Sequence, residues 1–199
     1  MFILGLTGSI GMGKSAAARQ FAAAGVPVHE ADVAVHRLYD EREAAELIEQ
    51  AFPGSTTDGK VDRQKLTPMV IDDPDAFARL EMIVHPLVRA STARFLSEAA
   101  ARGARAAVLD IPLLFETHGE GRVDAIVVVS APADVQRERV LSRPNMTAAK
   151  LDAILAKQMP DAEKRRRAHF VVDTSRSFDS ARAQVRGILR AVAVIPGSG

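Results

Sequence analysis

The residues best suited to chemistry form a glycine-rich loop close to the amino end of the chain. Residues 8–15 read GSIGMGKS and fit the pattern G-x-x-x-x-G-K-[ST]. Glycines let such a backbone wrap closely round an anion, so that its N–H groups point at phosphate. The lysine of the pattern reaches the β- and γ-phosphates, and the serine hydroxyl suits Mg²⁺, which prefers oxygen ligands. The candidate nucleotide-binding residues are Gly8, Gly11, Met12, Gly13, Lys14, Ser15 and Ala16.

The segments on either side of this phosphate loop (residues 8–15) support the same interpretation. The apolar run at 2–6 is typical of a strand buried in a parallel sheet, and the alanine-rich run after the loop favours a helix. Strand, loop and helix in that order are the context that the motif requires, and a helix N-terminus attracts phosphate. The alternative, an ordinary glycine-rich turn before a helix, does not require this context.

A carboxylate is expected at the same edge of the sheet, after the second predicted strand. Residues 26–29 read as a short strand, Asp32 lies just beyond it, and a helix is predicted from Val33 to Tyr39. Ligands of open α/β sheets lie outside the carboxyl ends of the strands, which places Asp32 at the edge that carries the phosphate loop. Asp32 then positions or deprotonates a hydroxyl nucleophile, or it only caps the next helix. Residue chemistry leaves both roles open.

Another acidic residue ends the third predicted strand. Residues 105–110 form an apolar run that ends in Asp110, which resembles the Walker B pattern. In phosphate-loop enzymes this carboxylate holds Mg²⁺ directly or through water, so Asp110 joins Ser15 as a candidate metal ligand. A helix cap or a salt bridge is the alternative role for Asp110.

Basic residues crowd the stretch 136–167, which Pro144 and Pro160 divide into helices. Such a charge run is usually a solvated helical face, but in a phosphate-loop protein it also suits a mobile lid that lays guanidinium groups over phosphates. The lid interpretation makes Arg139 the first candidate for the nucleotide phosphates and Arg143 the second.

The composition limits the class of protein. The chain has 199 residues, of which 47% are hydrophobic and 26% charged, and this suits one globular domain with an inserted subdomain. A net charge of +1 gives no overall field towards nucleic acid or an anionic membrane. The absence of cysteine excludes a thiol nucleophile and fits a reducing cytosol. No apolar run approaches the length of about 20 residues that a membrane span needs, and we expect no signal peptide.

The rest of the chain predicts an α/β fold with an inserted helical segment. Two further strands are predicted at 124–130 and 168–173, and the chain closes with a helix at 178–194 and a frayed tail. Between the second and third strands, helices are predicted on both sides of a loop at 53–59. The longest of them runs from Asp75 to about Arg102, and Pro86 predicts a kink or a fresh start in it. His85, which precedes this proline, is of a kind more often structural than catalytic.

Several segments together resemble the dephospho-CoA kinase family over nearly the whole chain. The loop is shared by many nucleotide-hydrolysing proteins, but the histidine-proline pair and the DIPLLFE segment in this order are far more specific. The segments are GLTGSIGMGKS at 5–15, EAD at 30–32, LE at 80–81 with HP at 85–86, DIPLLFE at 110–116, and Gln136, Arg139, Arg143, Gln158-Met159-Pro160 and Lys164 in the lid.

The resemblance implies a three-layer P-loop kinase fold like that of nucleoside monophosphate kinases, with a five-stranded parallel sheet. The whole chain, 1–199, would be one such domain. Its expected parts are a core at about 1–40, 104–135 and 168–195, an all-helical coenzyme-A-binding lobe at about 41–103 and a helical lid at about 136–167.

The resemblance also implies an activity, namely the ATP-dependent phosphorylation of the ribose 3′-hydroxyl of dephospho-CoA to give coenzyme A and ADP. This is the last step of coenzyme A synthesis. Asp32 would be the base-like carboxylate, Lys14 would stabilise the transferring phosphoryl group, and Arg139 would cover the phosphates. The acceptor candidates are Asp32, His85, Leu113 and Phe115.

We expect Mg²⁺ with ATP, a cytoplasmic location, a monomer or weak homo-oligomer, and neither nucleic-acid nor membrane partners. Two positions depart from the pattern of the family. Glu30 replaces an aspartate, and Thr174 stands where an asparagine is usual, which argues against an amide contact near the adenine at that position.

Three other functions compete with this one. A kinase of another small acceptor, such as a nucleoside monophosphate, is disfavoured by the helical segment that carries His85. A GTPase switch usually reads guanine with an N-K-x-D segment, and the sequence has none. Nucleic-acid binding is disfavoured because the basic stretch lacks interleaved aromatic residues.

Overall fold

The structure is a computed structural model and describes residues 1–194. Its main sheet has five strands in the order β2-β5-β1-β6-β7. The central strand β1 pairs in parallel with β5 on one side and with β6 on the other, and β6 pairs in parallel with β7. This confirms the expected α/β fold with a five-stranded parallel sheet. The strands are β1 (Phe2–Thr7), β2 (Val28–Glu30), β5 (Ala106–Asp110), β6 (Ala125–Ser130) and β7 (Phe170–Asp173), and a separate hairpin pairs β3 (Thr56–Thr57) with β4 (Lys60–Val61).

Helices follow most of the strands. The helices are α1 (Lys14–Ala23), α2 (Ala31–Asp40), α3 (Arg42–Ala51), α4 (Arg63–Val70), α5 (Pro74–Ala101), α6 (Ala133–Leu141), α7 (Ala148–Ala156), α8 (Asp161–Arg167) and α9 (Phe178–Ala193), with a 3₁₀ turn at Glu120–Arg122. Within residues 1–194 no helix combines the length and the apolar character needed to cross a bilayer.

The chain divides into two compact units, one containing residues 1–29 and the chain from Ala99 onward, the other residues 30–98. In the first unit, β1 and β6 are buried and α1 and α9 cover one face of the sheet. The core on that face includes Leu4, Phe21, Val127 and Val185. Burying large apolar side chains stabilises a fold by about 1.5–3 kcal/mol each, so this cluster fixes the strand from which the phosphate loop leaves.

The second unit has its own core. Ile48 on α3 and Phe52, which directly follows that helix, pack with Val61, Leu66 and Leu80 from the neighbouring elements. The hairpin of β3 and β4 belongs to this unit, so the expectation of a purely helical segment here was wrong in that detail. Two strands of two residues each are too short to give an alternating pattern in the sequence.

Helix α5 is continuous through Pro86, so of the two alternatives predicted there, a kink or a fresh start, the fresh start does not occur. A proline inside a helix removes one hydrogen bond and costs about 3 kcal/mol. Leu80 before the proline is buried, and Ile83 and Val84 pack against the same cluster. We attribute the continuity to this apolar contact, which holds the turns before the proline in helical form.

Two other helix ends are formed by local signals. Gly25 follows the end of α1 with a φ of 82°, as expected of a glycine at a helix C-terminus. Asp62 caps α4, because its side chain accepts hydrogen bonds from the N–H groups of Gln64 and Lys65. The predicted frayed tail at 196–199 lies outside the described residues.

Candidate active site

The phosphate loop connects the carboxyl end of β1 to the amino end of α1. Gly11 and Gly13 have φ angles of 76° and 86°, a region in which residues with a side chain are strained. A Cβ atom on Gly8 would lie 2.6 Å from the carbonyl oxygen of Val129, and one on Gly13 would lie 3.0 Å from Oγ1 of Thr174. The loop therefore favours glycine at Gly11 and Gly13 because of the backbone angles, and at Gly8 and Gly13 because of the close packing.

Lys14 of this loop forms an ion pair with Asp110. Their Nζ and Oδ1 atoms are 2.5 Å apart, and the side chains are 18% and 3% exposed. The sheet accounts for the pair, since Leu6 at the end of β1 lies opposite Asp110 at the end of β5. The salt-bridge role considered for Asp110 is thus present in this structure. The pair brings a nearly buried carboxylate and a partly exposed ammonium group together at the amino end of α1.

The residues proposed to hold Mg²⁺ offer oxygen atoms only. Ser15 is exposed in the first turn of α1, and Asp110 lies at the end of β5. Mg²⁺ takes one or two protein oxygens and completes its shell with water and substrate phosphate, so a hydroxyl and a carboxylate fit this ion. Residues 1–194 contain no group of three His, Cys, Asp or Glu side chains that could hold a metal by themselves.

Two glutamines hold the tip of the phosphate loop through the backbone of Ile10. The Ile10 N–H donates to Oε1 of Gln158 over 3.1 Å, and Nε2 of Gln136 donates to the Ile10 carbonyl over 2.7 Å. Gln136 belongs to α6, and Gln158 follows α7. The stretch that the sequence suggested as a lid (residues 136–167) therefore contacts the loop without any ligand.

Arg139 is anchored next to the loop. Its two terminal nitrogens donate to Thr174, one to Oγ1 over 2.9 Å and the other to the carbonyl oxygen over 2.6 Å. The Thr174 hydroxyl in turn donates to the carbonyl of Met12 over 2.8 Å. A guanidinium has five N–H donors, so these two bonds leave room for phosphate contacts. Arg143, the second arginine candidate, is exposed beyond the end of α6.

A carboxylate also lies close to Arg139. The hydroxyl and N–H groups of Ser175 hydrogen-bond to Asp173 and hold the pKa of that carboxyl group below its ordinary value, and Arg176 and Arg139 lower it further. Asp173 is therefore ionised at neutral pH, which favours a guanidinium at this position.

Two of the other predicted nucleotide residues are engaged within the protein. Met12 is buried, and its sulfur accepts a contact from the N–H of Ala131 over 3.1 Å. The N–H of Ala16 donates to the Gly13 carbonyl over 3.0 Å, so it is used inside the first turn of α1 in this structure.

The predicted lid (residues 136–167) joins the segment after β5 through an ion pair that is largely buried. Lys164 is fully buried, and its Nζ lies 2.8 Å from Oε1 of Glu116. Burial alone raises the pKa of the Glu116 carboxyl group, but the Lys164 ammonium and the N–H of Met159 outweigh this, and the pKa lies below its ordinary value. The pair keeps α8 close to residues 110–116.

Two of the residues predicted to contact the acceptor lie within residues 110–116, and one of them is exposed while the other is buried. Leu113 is 41% exposed and remains available to a ligand. Phe115 is only 1% exposed, packs with Leu114 and Ile126, and is covered by the guanidinium of Arg167 at 4.8 Å from the ring centre. The expectation that Phe115 contacts the acceptor is therefore corrected: in this structure it is a core residue.

The remaining candidates, Asp32 and His85, belong to the second unit. Glu30 is the N-cap residue of α2 and Asp32 lies inside its first turn, so the alternative of Asp32 as the helix cap was wrong. Asp32 is exposed, and its carbonyl oxygen is 2.8 Å from Nδ1 of His36. His85 is exposed on α5, with its Nε2 3.8 Å from Glu81.

Sequence reasoning missed the contacts of three polar residues. Gln136 and Gln158 resembled the lid of the family, but nothing in the sequence indicated that both bind Ile10. Thr174 was noticed only as a departure from asparagine. One signal was available, since Gln136 and Arg139 are three residues apart and thus share one face of a helix.

Comparisons with known proteins agree with this geometry. A family model described as dephospho-CoA kinase matches residues 2–180. A dephospho-CoA kinase from Rhodopseudomonas palustris is 62% identical over 196 residues, which is 98% of each chain. A crystal structure of a protein from Thermus thermophilus is 34% identical, covers 98% of each chain and superimposes with a TM-score of 0.78. A dephospho-CoA kinase from Campylobacter jejuni, 22% identical over 96% of each chain with a TM-score of 0.68, shares the fold.

The five-stranded parallel sheet and the loop with Lys14 between β1 and α1 define a P-loop kinase. Within that class, the match along nearly the whole length identifies the family. The chain belongs to the dephospho-CoA kinase family.

Proposed function

We propose that this protein transfers the γ-phosphoryl group of ATP to the ribose 3′-hydroxyl of dephospho-CoA and so catalyses the last step of coenzyme A synthesis. The observation that carries the proposal is the Lys14–Asp110 pair at the phosphate loop, in a chain whose relatives of matching length are dephospho-CoA kinases. The 3′ position and the two products follow from the activity of that family.

For this reaction the protein has to position the reactants and supply positive charge, and it needs to form no covalent bond itself. Phosphoryl transfer passes through a loose transition state with negative charge spread over the phosphoryl oxygens. Lys14 needs only to exchange Asp110 for a phosphate oxygen to place its ammonium there. Arg139 is held beside the same loop and supplies a second cation that needs little reorganisation.

Asp32 is proposed to orient the acceptor hydroxyl and to take its proton. A carboxylate in this role contributes about 10²–10⁴-fold to a reaction rate. Its place in the first turn of α2 and its exposure support the role, because it neither caps the helix nor lies in a core. Leu113 and His85 are proposed to contact other parts of the acceptor.

Ser15 and Asp110 are proposed to hold Mg²⁺ through their side-chain oxygens, should the ion bind with the nucleotide. When bound, the ion neutralises charge on the transferred phosphate and fixes the position of the nucleotide. The cytoplasmic location and the monomeric or weakly oligomeric state are proposals from the sequence. Light scattering on the eluate of a sizing column measures the oligomeric state.

A panel of acceptors tests the proposed substrate. With ATP and Mg²⁺, we expect ADP release that depends on dephospho-CoA, and none above background with AMP in its place. Chromatography of the products separates the two reactions. Transfer to AMP without transfer to dephospho-CoA would assign the protein to nucleoside monophosphate phosphorylation instead.

A further inference from the structure

Thr174 joins the phosphate loop to Arg139, a link that the proposed reaction does not by itself explain. Its hydroxyl donates to the Met12 carbonyl over 2.8 Å and accepts from Nη1 of Arg139 over 2.9 Å. We propose that Thr174 is a positioning residue that fixes Arg139 relative to the phosphate loop and thereby sets the affinity for nucleotide triphosphate. The proposal rests on the proposed roles of the loop and of Arg139.

The polar groups of Thr174 are all used in this link. A hydroxyl has one hydrogen to donate and can accept at its oxygen, and both capacities are taken here. The N–H of Thr174 donates to the Ser130 carbonyl over 3.0 Å, and its own carbonyl accepts from Nη2 of Arg139 over 2.6 Å. Thr174 is 9% exposed, so these bonds are largely shielded from water. A hydrogen-bond network in which every polar group is paired keeps its side chains in one arrangement.

The packing around Thr174 supports the same role. A Cβ on Gly13 would come within 3.0–3.3 Å of the Oγ1, Cβ and Cγ2 atoms of Thr174, so the side chain lies directly against the loop. Gly13 immediately precedes Lys14, and any shift of Thr174 therefore reaches both the loop backbone and the guanidinium.

The energetic gain comes from ordering Arg139 before the nucleotide binds. A free arginine side chain loses rotamer entropy when a ligand orders it, and this loss weakens binding. Two hydrogen bonds to Thr174 hold the guanidinium in the free protein. Thr174 touches no reacting atom in this scheme and acts through Arg139 and Met12.

A purely structural role predicts a different outcome. If Thr174 only attached the end of β7 to the sheet, removal of its hydroxyl would lower the unfolding temperature and leave the folded protein with normal nucleotide affinity. Affinity and stability therefore have to be measured separately on the same variants.

The experiment compares Thr174→Val, which removes the hydroxyl at nearly constant volume, with Thr174→Ser, which keeps it. Affinity for the non-hydrolysable analogue AMPPNP with Mg²⁺ is measured by calorimetry without any acceptor. Thr174→Val should bind about tenfold more weakly, the value of one hydrogen bond to a charged group, and Thr174→Ser within about twofold of the unmodified chain. Thr174→Ala serves if the valine variant does not fold, with the same expectation.

Thr92→Val is the matched control, because its hydroxyl donates to the Val88 carbonyl within α5 over 2.9 Å. It should leave AMPPNP affinity unchanged. Combining Thr174→Val with Arg139→Met tests the route of the effect: in the Arg139→Met background, Thr174→Val should add less than about twofold, because coupled residues are not additive.

Two results would overturn the proposal. One is AMPPNP affinity within about twofold of the unmodified chain for Thr174→Val, or for Thr174→Ala where the valine variant does not fold. The other is a full additional loss in the Arg139→Met background. Because no acceptor is present, a failure to phosphorylate dephospho-CoA leaves this test intact. If the unmodified chain bound no AMPPNP, the proposed function and this proposal would fall together.

Discussion

At the residue scale, Lys14 has the most narrowly defined role. Its ammonium meets a carboxylate that is only 3% exposed, at the point where the phosphate loop turns into α1. In the proposed function, this cation exchanges its carboxylate partner for a phosphate oxygen when the nucleotide binds. Because Lys14 neutralises the charge of Asp110, a carboxylate at the end of β5 is compatible with the proposed binding of an anion nearby.

Replacing Lys14 by alanine should abolish measurable transfer. Loss of one preorganised donor to the transition state lowers kcat by up to about 10³-fold, and a full positive charge is lost as well. Steady-state ADP release with dephospho-CoA measures the effect. Arg182→Ala is the control, because Arg182 is exposed and pairs with Asp179 on α9, and it should keep full activity. Substantial activity of the Lys14 variant would contradict the assignment of the loop.

Replacing Asp32 by asparagine should lower kcat by about 10²-fold or more while ATP affinity changes little. The amide keeps the size of the side chain but cannot take a proton. Asp40→Asn, at the other end of α2, removes an exposed carboxylate whose partner is Lys60 and should leave kcat unchanged. Unchanged turnover of the Asp32 variant would remove this residue from the mechanism.

At the element scale, the lid is tied to the rest of the first unit by side chains from both of its ends. Gln136 and Gln158 hold Ile10, and Lys164 holds Glu116. The first two contacts involve the loop that binds phosphate, whereas the third involves the segment after β5. The lid can therefore influence nucleotide binding and stability through different residues.

Glu116→Gln should destabilise the fold by about 3 kcal/mol at neutral pH, because it leaves the buried Lys164 without a carboxylate. The folded-state pKa of Glu116 is lowered, so its contribution is present above the ordinary glutamate range and is lost as the pH falls through the lowered pKa. Thermal unfolding followed from neutral to acid pH should show the two proteins converging in acid. A difference that stays constant with pH would contradict this role. Glu163→Gln is the control, since Glu163 pairs with the exposed Arg166 and should cost less than about 1 kcal/mol.

Gln158→Leu should loosen the tip of the phosphate loop. The Ile10 amide loses its acceptor, so its hydrogen exchange should accelerate, and we expect the KM for ATP to rise several-fold, by about the value of one hydrogen bond. Exchange detected by NMR at Ile10 and initial rates measure the two effects. Gln64→Leu, on the exposed side of α4, should change neither. An unaltered exchange rate at Ile10 would show that Gln158 does not hold the loop.

At the scale of the whole molecule, local patterns predicted most of the fold. The apolar strands, the phosphate loop and the caps at Gly25 and Asp62 each depend on a few adjacent residues, which is why the sequence shows them. The continuity of α5 through Pro86 depends on tertiary packing, which overrides the local preference of proline. The short hairpin at Thr56–Val61 offers too few residues for a pattern.

The site was predictable only to the level of its separate residues. Lys14, Asp110 and Arg139 follow from motifs, but the bond between Ile10 and Gln158 joins residues 148 positions apart, and the bond between Arg139 and Thr174 joins residues 35 apart. Residue spacing in the sequence does not predict contacts between residues so far apart in the chain. Phe115 also shows what local patterns cannot predict. Its motif suggested a contact with a ligand, whereas its burial follows from the packing of the whole unit.

The position of the transferred phosphate tests the proposed function most directly. The purified chain is incubated with ATP, Mg²⁺ and dephospho-CoA, and the product is examined by ³¹P and ¹H NMR. We expect one new phosphomonoester coupled to the ribose 3′ proton, formed in equal amount with ADP. Phosphate at any other position, or ADP formed without a phosphorylated acceptor, would contradict the proposal.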